Sequence, residues 1–113
     1  MRALFGSMAL ILALYVPARS LAAGPVDPAV AHGAQLAQRC AACHAVGLEG
    51  RSRNNGAPPF RTLRLRYNAL GLEQALKRVG RFGHFDMKPQ QLADTDMADV
   101  AAYIATLEPT PAR

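Results

Sequence analysis

With 113 residues, half of them apolar, and a formal charge of +5, the chain is long enough for one domain and too apolar to stay disordered. It holds no tryptophan and only three tyrosines. A general nucleic-acid binder carries a larger basic excess and more stacking aromatics, so that class is excluded.

The segment MRALFGSMALILALYVPARSLAAGP begins with a basic residue, Arg2, runs apolar from Ala3 to Val16, breaks at Pro17 and continues in small residues. This is the layout of a secretory signal peptide, which places a leader at 1–23, cut near Ala22 or Ala23, and a domain at 24–113. An uncleaved membrane anchor is the competing reading, but the apolar run falls short of the about 20 residues a spanning helix needs. Loss of the leader removes Arg2 and Arg19 and leaves eleven basic against eight acidic side chains, a charge of +3. These charges are unevenly placed: eight bases and one acid, Glu73, lie between Arg51 and Arg81, whereas Asp86 to Glu108 holds five acids and one base, Lys88. Most are expected to be solvated, and the asymmetry can orient a partner during encounter.

Asp27-Pro28 reads as an N-cap followed by proline at the first helical position. Val30, Gly33, Ala34, Leu36, Ala37, Cys40 and Ala41 then recur at helical steps, in a run that ends by Gly47 and carries the cysteines at its C-terminal end. GLEGRSRNNGAPP, from Gly47 to Pro59, reads as a loop. Two amphipathic pieces follow, with Phe60, Leu63 and Tyr67 on the first and Leu72, Ala75, Leu76 and Val79 on the second, broken near Gly71 and Gly80. RFGHFDMKPQQLA reads as a second loop. Asp94 to Leu107 is the clearest helix, with acids in its first turn, a stripe of Met97, Val100, Ala101, Ile104 and Leu107, and stops at Pro109 and Pro111. The fold class is all-α. So short a domain with two long loops needs something to pack upon, and a large apolar prosthetic group meets that need.

Cys40-Ala41-Ala42-Cys43-His44 contains every cysteine of the chain. This is the spacing of covalent haem attachment: thiols three positions apart meet two vinyl groups of one porphyrin as thioethers, and the next residue brings its imidazole beneath the iron. A disulfide here would close a tiny loop and leave His44 unexplained. A thioredoxin-type pair belongs after a strand, whereas these flanks are helical. A zinc site would have to recruit His32 and His84 at spacings unlike any usual zinc pattern.

On the motifs GAQLAQRCAACH, GAPPF, GHFDMKP and DMADVAAYIATL, in that order, the chain resembles a small bacterial class I cytochrome c over nearly all of its length after the leader. The resemblance implies one haem c held through Cys40 and Cys43, terminal helices that cross, short middle helices, and His44 and Met87 as iron ligands. Met87 lies 43 residues past His44, in a loop near Pro89, where a thioether can turn inward without breaking a helix. Lys88 between methionine and proline departs from the family's Met-Pro loop. Met97 reads as core and His84 as the rival imidazole ligand. The resemblance further implies that Pro58 or Pro59 offers its carbonyl to Nδ1 of His44, that Phe60 touches the cofactor, and that Gly33 and Tyr103 meet at the helix crossing. His32 reads as a helix-surface residue, and Arg61 and Arg64 as solvated or paired with haem propionates.

With both axial positions filled there is no open site for substrate, so the expected role is non-enzymatic: one-electron transfer through Fe(III)/Fe(II) haem c in the periplasm. The donor would be a periplasmic dehydrogenase or quinol-oxidising complex and the acceptor an oxidase or peroxidase. Alternatives are a haem-based sensor or gas-binding protein with a labile distal ligand, and a haem subunit of a dehydrogenase complex.

Overall fold

The computed structural model describes residues 24–107; the leader expected at 1–23 and the expected stops Pro109 and Pro111 lie outside them. Four α-helices follow in order: α1 Pro28–Ala37, α2 Phe60–Arg66, α3 Ala69–Phe82 and α4 Asp94–Thr106. No strand occurs among the described residues, so the fold is all-α as expected. No helix among them is long and apolar enough to cross a membrane.

α1 begins as its sequence predicts, with the Asp27 carboxylate accepting a hydrogen bond from the Ala29 N–H at 2.8 Å and Pro28 in the first turn. It ends earlier than the periodicity suggests. At Ala37 the chain tightens into a 3₁₀ turn over Gln38–Cys40, because the Gln38 N–H bonds the Gln35 carbonyl three residues back rather than four. The cysteines therefore lie at the end of that turn and just beyond it, not on the α-helix.

The break between α2 and α3 also differs from expectation. It falls at Tyr67 and Asn68, since the Asn68 side chain caps α3 by accepting from the Gly71 N–H at 2.7 Å, which puts Gly71 inside the first turn. Gly80 lies within α3 as well, directly under Met97, whose Cγ would be 2.8 Å from a Cβ at that position. Tyr67, expected on the apolar face of α2, is 43% exposed. Leu72 and Leu76 are buried as expected.

α4 is the hub of the molecule. All five residues of its predicted stripe are buried, Met97 and Ile104 among them, and they join Ala37, Phe60, Leu72 and Leu76 in a single core. Met97 is thus a packing residue. Asp94 and Asp96 stand in the first turn, where carboxylates favour the helix dipole, and Asp96 accepts from the Ala93 N–H at 3.0 Å. α1 crosses α4 at Gly33, where a Cβ would fall 2.0 Å from the Asp99 carbonyl oxygen and 3.0 Å from Cβ of Tyr103. Only glycine permits that approach, and the expected meeting of Gly33 with Tyr103 is present. Beside the crossing, His32 lies on the surface as expected, but its Nδ1 is 2.8 Å from the Asp99 carboxylate, a pairing that sequence spacing did not suggest.

Candidate functional site

Cys40, Cys43 and His44 are gathered by one tight turn. The Cys40 carbonyl accepts from both the Cys43 and His44 N–H groups, at 3.2 and 2.9 Å, so the three side chains leave a single knot of backbone. Cys40 is half-buried and Cys43 exposed, and no disulfide joins them. Burial pushes the Cys40 thiol up, opposed by the neighbouring Arg39 charge. Among the described residues no group of three or more His, Cys, Asp or Glu side chains is close enough to hold a metal ion, so the zinc reading lacks a donor set.

His44 is oriented by the loop that follows. Its Nδ1 lies 2.7 Å from the Pro58 carbonyl oxygen, which selects Pro58 over Pro59 as the partner. Nδ1 is the donor in that contact, leaving Nε2 as the ring's available lone pair. The loop is fastened around this bond at four further points: Ala45 N–H to Ser52 Oγ at 2.9 Å, Asn54 N–H to the Cys43 carbonyl at 3.1 Å, Phe60 N–H to the Ala45 carbonyl at 2.9 Å, and Tyr103 O–H to the Val46 carbonyl at 2.7 Å. The Phe60 ring, buried in the core, lies 5.3 Å from the His44 ring and fixes it from a second side. Ser52 and Tyr103 have no signal as anchors in the sequence, because their partners are backbone groups, in the case of Tyr103 one 57 positions away.

Across from His44 stands a hairpin between α3 and α4. His84 and Met87 form an isolated antiparallel bridge, with N–H to carbonyl bonds of 3.1 and 2.8 Å in the two directions. Phe85 and Asp86 make the turn; Phe85 has φ 46° and is fully exposed. Gly83 enters the hairpin at φ 69°, ψ −168°, a region essentially reserved for glycine. Arg81 at the end of α3 grips both oxygens of Asp94 at the start of α4, closing the base of the segment. The His84 ring lies 6.0 Å from the His44 ring with the planes 23° apart. Its Nδ1 is buried without a partner, and burial first and the His44 charge second pull its pKa down. Met87 is half-buried beside it.

The donor set therefore suits an iron macrocycle tethered at the cysteines: a fixed imidazole on one side, and an orphaned imidazole and a thioether together on the other. Of the two arginines expected to be solvated or beside propionates, Arg64 is exposed and Arg61 half-buried. Arg61 donates to the Gly50 carbonyl at 2.9 Å, while its Nη1 is buried without a partner. Arg64 borders a cleft of about 440 Å³ between α2, α3 and α4, which includes none of Cys40, Cys43, His44 or Met87. A smaller cleft of about 190 Å³ beside Arg61 and Pro59 misses them too. The chemistry of the donors, not the shape of these clefts, identifies the site. The family model for cytochrome c matches residues 30–108. No curated protein and no solved structure matches the chain.

Proposed function

Starting from the fact that the chain belongs to the cytochrome c family and carries haem c attached through Cys40 and Cys43, we propose that it is a single-haem electron carrier of the periplasm, ligated by His44 and Met87. The observation that carries this reading is the bond from His44 Nδ1 to Pro58, which commits the ring to present Nε2 where the tethered cofactor must lie. The haem supplies the reversible Fe(III)/Fe(II) couple. Residues of the chain do the rest. Pro58 holds the His44 ring against rotation; Phe60 and the core beneath it would keep water from that side of the haem; and Met87 would offer a soft thioether, which favours Fe(II) and raises the potential. With His44 and Met87 both bound, the iron would offer no open position to a substrate, and the chemistry left to it would be outer-sphere electron transfer.

The leader read at 1–23 and the attachment motif both support export. The expected partners are redox proteins: a periplasmic dehydrogenase or quinol-oxidising complex as donor, an oxidase or peroxidase as acceptor. A gas-binding role requires an open distal position, and two candidate ligands contest it here. The test is expression in a host competent for cytochrome maturation. The product should be coloured, should give a pyridine haemochrome with two thioethers, and should resist carbon monoxide when reduced. Cys40→Ala with Cys43→Ala should yield no covalent haem. A colourless native product, or rapid carbon monoxide binding, overturns the reading.

A further inference from the structure

We propose that the cleft beside Arg51 and Arg61 binds a small tetrahedral oxyanion, of which inorganic phosphate is the simplest, and that this occupant braces the loop between the attachment turn and α2. The cleft measures about 190 Å³. None of Cys40, Cys43, His44 and Met87 lines it, so it stands apart from the residues that would hold the haem.

The chemistry of its wall is one-sided. The charged residues that line it are both arginines, Arg51 and Arg61, the polar ones are Ser52 and Asn55, and no acid joins them. Arg51 and Asn55 are exposed, and neither side chain has a partner among the described residues. Arg61 is tied on one side only: Nη2 donates to the Gly50 carbonyl at 2.9 Å, while Nη1 is buried with no partner. Arginine stays protonated at every ordinary pH, so this nitrogen cannot shed its charge and keeps its demand for an acceptor. Because Arg61 also lines the cleft, an anion there supplies one after a slight turn of the guanidinium. Ser52 Oγ already accepts from the Ala45 N–H, which leaves its own O–H to donate.

Two planar forks, a hydroxyl and an amide around one space offer donors from several directions. A carboxylate meets such donors in its own plane, whereas tetrahedral oxygens meet them from all sides. The local charge has the matching sign: from Glu49 to Arg61 the chain holds three arginines, Arg51, Arg53 and Arg61, against the one carboxylate of Glu49, which does not line the cleft.

The site matters for what its loop holds. Ser52 fastens the backbone of the residue after His44, and Pro58, whose neighbours Ala57 and Pro59 line the cleft, accepts from the His44 ring. An oxyanion that bridges Arg51 and Arg61 ties the middle of this loop to α2 and stiffens the support of the His44 imidazole without touching the ring.

The test uses the holoprotein in a buffer free of phosphate and sulfate. Calorimetric titration with sodium phosphate should show saturable binding at one site per chain. The urea midpoint should rise and level off with it, since a ligand of the native state alone stabilises that state. Sodium chloride at matched ionic strength, which only screens charge, is the reference for that rise. Arg51→Ala should weaken phosphate binding about tenfold, the loss of one charge-assisted bond. Arg61→Lys, which keeps the charge and removes the fork, should weaken it as well; if loss of its tie to Gly50 prevents folding, Arg51→Ala decides alone. Arg78→Ala removes an exposed arginine of α3 that lines neither cleft and should leave the affinity as in wild type. Three results overturn the proposal. Phosphate that acts no differently from chloride means screening only, or a cleft already filled by a haem propionate. Arg51→Ala protein that binds as wild type places the anion elsewhere. Equal losses in Arg51→Ala and Arg78→Ala mean a diffuse field rather than a site.

Discussion

Where α1 crosses α4, two helices touch through a buried glycine, and residues far apart in sequence lock together. Between α3 and α4 the chain turns on a left-handed phenylalanine that nothing covers, closed by one bridge and one surface ion pair. The first region stores its stability in apolar packing, the second in a few backbone bonds and backbone angles. The contrast separates the labour of the molecule: the crossing is fixed by packing, and the hairpin that carries His84 and Met87 stands on a support that can yield.

Substitutions in each region sharpen or break this contrast. Gly33→Ala should have the largest effect, since its Cβ would collide with the Asp99 backbone rather than with a mobile side chain. A loss of about 3 kcal/mol is expected from denaturant unfolding of the holoprotein, with the haem spectrum of the folded fraction unchanged. Met97→Ala should follow at about 2 kcal/mol, near the low end of core truncations because Gly80 below it leaves room for collapse. Its spectrum should also stay as in wild type; a change of axial ligation in this variant would return Met97 to the list of iron ligands. Gly83→Ala should cost about 2 kcal/mol, since a Cβ there would meet the Met87 carbonyl oxygen at 2.1 Å and would be strained at φ 69°, in a hairpin more exposed than the crossing. Here, unlike the other two, the potential and the distal ligation should change. If Gly83→Ala altered stability alone, or Gly33→Ala altered ligation, the division between a holding region and a yielding one would fail.

The sequence carried the site's covalent half almost completely. Cys40, Cys43 and His44 are read from spacing alone because attachment chemistry fixes both spacing and residue type, and α4 is read from its stripe because packing on one face imposes a period. Pro58 followed from resemblance, and the structure chose it over its neighbour by a single hydrogen bond. The errors came where local and tertiary forces compete. Helical periodicity runs on through Cys40, yet the backbone tightens after Ala37 to gather the cysteines and His44 in one turn. Glycines were read as breaks at 71 and 80, but the Asn68 cap and the Met97 side chain make both positions helical. The bridge between His84 and Met87 was invisible, since four residues around a strained turn have no periodicity to betray them.

Tyr103 bonds the carbonyl of Val46 across 57 positions of chain, and His32 reaches Asp99 across 67. The segment that follows the attachment motif is therefore pinned by a helix synthesised near the end of the chain. Such distant closure is slow, because the ends of a long loop must find one another before any contact repays the search. Until α4 emerges and docks, the cysteines remain on pliable backbone, and this delay leaves an interval in which a maturation enzyme can reach both thiols.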